Sequence, residues 1–166
     1  MPEKGNASWE GQEKTGPWME DEILALPDVG WKEAALGFAR YLRENQMAPQ
    51  QWFGPNYWRV PHGEHYLCCI LLDREKWRAF FFSGDYGGEY GQGFVKAVQD
   101  SVRPCVSCVD DCSKGREIAV FGKVFDACFQ FPVQFENPDD RTLEYIKQLL
   151  EHWKEAAPRS DSWHCH

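Results

Sequence analysis

Residues 103–129, RPCVSCVDDCSKGREIAVFGKVFDACF, hold four of the chain's seven cysteines: Cys105, Cys108, Cys112 and Cys128. Two thiolates separated by two residues in a tight turn can point at one ion, and Cys112 follows after three more. Cys128, arriving from an extended segment after Gly115 reverses the chain, completes a set of four thiolates suited to a tetrahedral zinc ion. Pro104 before the block and Ser113-Lys114-Gly115 after it supply turn chemistry. Cys105, Cys108 and Cys112 make a poor core segment because Asp110 and Asp111 lie among them and would be stranded without water. Cys128 sits between Phe125 and Phe129, where a core role competes with ligation. Cys68 and Cys69 lie in an apolar run and read as small buried hydrophobes.

Two other chemistries compete for the block. An iron–sulfur cluster also takes four cysteines, but its bacterial spacing, C-x2-C-x2-C-x3-C-P, differs from the one here. Cys105-Val106-Ser107-Cys108 has the spacing of thiol–disulfide exchangers, yet the two following aspartates raise thiolate pKa values and oppose that use. A thiol redox sensor that releases zinc on oxidation combines both ideas. The expectation is structural zinc, about one per chain, with loss of folding on chelation.

The block resembles that of short uncharacterised bacterial proteins with C-x2-C-x3-C, a Gly-basic pair, F-G-K-x-F and a further cysteine. Here these are Cys105, Cys108, Cys112, Gly115-Arg116, Phe121-Gly122-Lys123-Val124-Phe125 and Cys128. The resemblance covers about a quarter of the chain. It implies a shared fold and a shared metal, and it brings no activity and no catalytic residue.

The elements that must position these thiols follow from periodicity. From Asp28, read as an N-cap, Trp31, Ala35, Phe38, Ala39 and Leu42 recur on one helical face up to Pro49. WFGPNYWRV, EHYLCCILL and KWRAFFFS are runs of aromatic and branched residues broken by Pro61-His62-Gly63 and Asp73-Arg74-Glu75. They predict a three-stranded antiparallel meander with the doubly apolar middle strand at its centre. GDYGGEYGQG, residues 84–93, has five glycines and must be a loop leading to a short helix through Phe94 and Val98. EIAVFGKVFDACFQFPVQF supplies one or two more strands. Asn137 is expected to cap the last helix with Pro138 at its first position, and Leu143, Ile146, Leu149, Leu150 and Trp153 form its buried stripe.

The predicted fold is α+β: an antiparallel sheet of about four to five strands, two or three helices on one face, and a Cys-rich metal loop. Residues 1–22, with Glu3, Glu10, Glu13, Glu20, Asp21 and Glu22 against Lys4 and Lys14, are expected to be a disordered acidic tail. Residues 23–157 form the domain, and 158–166 a flexible C-terminal tail.

A second functional reading uses the aromatic sheet. Trp58, Trp77 and Phe81, with Tyr86 and Tyr90 as a lid from the glycine loop, are candidates for an apolar small-molecule site in a binder or enzyme; core packing is the competing role. The glycine loop itself fails the phosphate-loop pattern, because Phe94 and Val95 follow Gly93. His62 and His65 flank a turn and, in an extended segment, are expected to point to opposite faces. Trp163-His164-Cys165-His166 ends a tail, and His152 borders the helical stripe. No Ser/His/Asp set or paired carboxylates propose catalysis.

A net charge of −8 argues against nucleic-acid and anionic-membrane partners. The opening residues have neither a basic start nor an apolar run, so no targeting segment is expected. With no apolar stretch long enough to span a bilayer and an odd, clustered set of cysteines, the expectation is a cytoplasmic protein with reduced thiols.

Overall fold

In the computed structural model, residues 17–52, 54–82, 86–104, 116–128 and 130–155 are described. The cysteine block at 105–115, Phe129 and both tails lie outside that set, so Cys105, Cys108, Cys112 and the WHCH terminus do too. The fold is α+β. Among the described residues four helices, α1 (Met19–Ala25), α2 (Lys32–Glu44), α3 (Gln92–Asp100) and α4 (Asp140–Glu155), accompany seven strands: β1 (Gln50–Gln51), β2 (Tyr57–His62), β3 (His65–Leu72), β4 (Trp77–Phe81), β5 (Arg116–Val120), β6 (Lys123–Ala127) and β7 (Val133–Glu136).

Strands β1-β2-β3-β4-β7 form an antiparallel sheet in that order, with β3 in the middle as its two apolar faces require. Cross-strand register sorts the side chains. Trp58, Ile70, Ala79 and Phe135 stand side by side on one face, as do Val60, Cys68, Phe81 and Val133, and all eight are buried. Helices cover this face: Phe38 of α2 packs 5.6 Å from Trp77, and Trp153 of α4 meets Phe81 edge-on at 5.8 Å. Helix α1 lies on α2 and α3 on α4. The opposite face carries Arg59, Cys69, Phe80 and Gln134 in one row and Tyr57, Leu71, Arg78 and Glu136 in the next.

Several boundaries differ from the sequence reading. The fold reaches back into the expected acidic tail, because Met19 and Ile23, four apart, bury one side of α1. Lys32 then donates to the Leu24 and Leu26 carbonyls at 3.0 and 2.8 Å, satisfying acceptors at the end of α1. Helix α2 begins at Lys32 behind Trp31, so Asp28 is not its cap. It ends well before Pro49. Gln46 turns left-handed (φ 61°), the Met47 N–H reaches the Leu42 carbonyl at 2.8 Å, and the Met47 side chain is buried.

Strands β5 and β6 stand apart as a two-stranded hairpin. Its two-residue turn is Phe121-Gly122, both at positive φ (48° and 79°) as the right-handed twist of a hairpin demands. The F-G-K motif is therefore turn chemistry. Its turn docks on the domain through Phe121 N–H to the Tyr86 carbonyl (2.8 Å) and Gln99 Nε2 to the Val120 carbonyl (3.0 Å).

Candidate metal centre

Cys128 immediately follows β6. Its N–H donates to the Arg103 carbonyl at 3.1 Å, and the Arg103 N–H donates to the Pro132 carbonyl at 2.8 Å. One small knot of backbone thus joins the last residues before the cysteine block to the residue proposed as its fourth ligand. The far side of the block closes on the same place, because Arg116 pairs with Ala127, the neighbour of Cys128. The described residues that flank 105–115 thus come together beside Cys128, a partly exposed residue that is bonded to no other described cysteine.

Cys68 and Cys69 play a different part. Burial pushes the Cys68 thiol well above its ordinary range and Cys69 up to about 12, the latter despite the nearby Arg59 charge. Neither is a thiolate at neutral pH, and Cys68 lies in the helix-covered core.

His62 and His65 correct their expectation. They are register partners across the Gly63-Glu64 turn and so share a face, because the chain reverses between them. Gly63 at φ 60° makes that reversal possible. Among the described residues no group of three or more His, Cys, Asp or Glu side chains is arranged to hold a metal ion.

The five aromatic candidates are not gathered on one open surface. Trp58, Trp77 and Phe81 are fully buried on the helix-covered face, and the Trp58 indole donates to the Pro55 carbonyl at 3.0 Å. Tyr86 is buried against Trp153 at 5.2 Å with its hydroxyl on the Phe82 carbonyl, 2.6 Å away. Tyr90 lies tilted against Phe94 at 4.4 Å and meets Phe121 and His152 edge-on, at the junction of α3, α4 and the hairpin. Gly93 permits that junction, since a Cβ there would stand 2.6 Å from the Tyr145 hydroxyl. These rings fill contacts between layers, which is the packing role set beside the ligand-site reading.

Arg59 and Arg78 were not singled out by the residue pattern. The signal was present in Trp58-Arg59-Val60 and Trp77-Arg78-Ala79, where a charged residue alternates with buried neighbours and so marks the other sheet face.

Comparison with protein-family models, with curated proteins and with solved structures gives no match. No described helix is long and apolar enough to cross a membrane.

Proposed function

We propose that this chain is a small cytoplasmic metal-binding protein in which Cys105, Cys108, Cys112 and Cys128 hold one structural zinc ion. The observation that carries the reading is the hydrogen bond from the Cys128 N–H to the Arg103 carbonyl, 3.1 Å long. Cys105 is two residues beyond Arg103, so covalent geometry keeps the Cys105 and Cys128 Cα atoms within about 11 Å. That is the neighbourhood in which two thiolates, with Zn–S bonds of about 2.3 Å, can share one ion. The Arg116–Ala127 pairing brings the other end of the block to the same spot. Cys108 and Cys112 lie in sequence between two ends that meet beside Cys128, a partly exposed residue.

Zinc suits a site of soft thiolates in a reducing compartment and contributes structure without redox chemistry. Asp110 and Asp111 bring further negative charge to a site whose four thiolates already exceed the charge of one Zn²⁺. The site therefore favours a closed structural role over an open Lewis-acid position.

Elemental analysis of freshly purified protein tests the proposal. One zinc per chain is expected, with retention reduced in Cys128→Ser. Protein that carries no metal and is unaffected by EDTA overturns the site. A brown chromophore with iron and sulfide in the same preparation replaces zinc with a cluster.

A further inference from the structure

The sheet face turned away from the helices has an uncommon charge pattern. Arg59 sits over Tyr66, its guanidinium carbon 4.1 Å from the ring centre, and 5.4 Å from the Trp52 ring. Arg78 stands 5.4 Å from the Phe80 ring. Between them the floor is apolar and closed, with Leu71 and Cys69 both buried. The Nε atoms of both arginines are buried and find no hydrogen-bond partner among the described residues. No carboxylate among those residues pairs with either arginine, and the acid in their rows, Glu136, is held by Lys76 at 3.0 Å. An acidic chain thus carries on one face two guanidinium groups that no carboxylate among the described residues compensates, set against aromatic rings and beside the exposed rings of Trp52 and Tyr57 (36% and 42%).

We propose that this face docks an extended acidic segment of a partner protein, with its carboxylates on Arg59 and Arg78. The spacing sets the pattern of the segment. Arg59 and Arg78 are on the strands either side of β3 and two residues apart in register, which separates their Cα atoms by about 12 Å. Residues i and i+4 of an extended peptide point the same way and are about 13 Å apart. Carboxylates at i and i+4 therefore meet the two arginines, and an apolar side chain at i+2 covers the floor between them. Planar guanidinium forks suit carboxylates bidentately, and a guanidinium held over a ring can keep its outer N–H groups for such a partner.

Other occupants fit less well. A second copy of the same face brings arginine against arginine. A nucleic-acid strand presents a charge at every nucleotide to two cations, on a chain whose net charge of −8 repels it.

The test uses the full 166-residue chain, isotope-labelled, titrated with the capped peptides Glu-Ser-Phe-Ser-Glu and Gln-Ser-Phe-Ser-Gln and followed by backbone amide shifts. The glutamate peptide is expected to bind about tenfold more tightly, because the glutamine peptide lacks both charge pairs, with shifts confined to β2, β3 and β4. Arg59→Gln with Arg78→Gln abolishes that preference. Arg59→Lys with Arg78→Lys keeps the charge but loses the fork, so it weakens binding several-fold while still favouring glutamate; this pair also serves if the glutamine pair does not fold. Equal affinity for the two peptides, or shifts on other surfaces, overturns the proposal. So does tighter binding of an oligothymidylate to the same amides, or concentration-dependent movement of those amides without peptide, which would make the face a self-association surface.

Discussion

Asp139 and Asn137 are two residues apart and do different work. Asp139 Oδ1 accepts the Thr142 N–H at 2.8 Å and caps α4. Hydrogen bonds from the Thr142 side chain and backbone hold the Asp139 carboxyl below its ordinary pKa. A depressed folded-state pKa gives stability that is present above the unfolded value and lost as pH falls through the folded one. Asp139→Ala is therefore expected to lower the melting temperature at pH 7 by a small amount, and the gap from wild type to close on acidification through the carboxylate range. Calorimetry across that range checks it; a gap independent of pH would assign the loss to the helix terminus alone. Asn137, the expected cap, instead takes a left-handed conformation (φ 43°) and bonds Trp77 twice, accepting its N–H at Oδ1 (3.0 Å) and donating to its carbonyl (2.9 Å). An Asn-Pro pair before a helix signals a turn, but local pattern does not reveal that β4 lies alongside to recruit it. The histidine pair failed to read for the same reason, since which face His62 and His65 share depends on where the chain reverses.

At the scale of elements, strands and long helices were legible because burial imposes a period. The alternation in β2 and β4 and the stripe on α4 each record one face against the core. Helix α1 was hidden because seven residues give a single repeat, and Glu20, Asp21 and Glu22 look like a tail. Glu20 is in fact nearly buried and paired with Arg43 at 3.2 Å, with Arg43 stacked on Trp18. Helix and hairpin ends supply a matched experiment. Gln46 and Phe121 both occupy left-handed backbone, which costs an L-residue about 1 kcal/mol relative to glycine. Gln46→Gly should raise unfolding stability by about that much, because Gln46 closes the end of α2 through its backbone. Phe121→Gly gains the same backbone relief but removes a ring packed 5.6 Å from Tyr90 and 5.5 Å from Phe94. Losing a partly buried ring costs about 2–4 kcal/mol, so the net change is a loss of about 1–3 kcal/mol. Urea denaturation separates the two, and a loss in both variants would show that the Gln46 side chain also matters.

At the scale of the whole molecule, the α+β class and the one-sided helix layer were readable from pattern, whereas the partition of strands was not. EIAVFGKVFDA and PVQF look alike in composition, yet the first closes on itself as the β5–β6 hairpin and the second joins the sheet beside β4. Pairing between distant segments decides this, and nothing local records it. The partition changes what metal should do. The hydrophobic core runs continuously from Met19 to Trp153 through the sheet and the helices covering it, and Cys128, the one proposed ligand among the described residues, does not belong to it. Loss of folding on chelation is the expectation from the cysteines alone, whereas a core that Cys128 does not enter predicts local loosening. The hairpin is tied to the domain at its turn by Tyr86 and Gln99, and at its other end by the Cys128–Arg103 bond next to the proposed metal. Removing the ion releases the second tie and leaves the first. With EDTA, amide exchange should accelerate for Arg116, Glu117, Asp126, Ala127 and Cys128, change little at Val120 and Phe121, and stay unaltered in β2–β4 and α4. Uniform acceleration would mean that the ion supports the whole core, and unchanged exchange beside Cys128 would separate that residue from any metal.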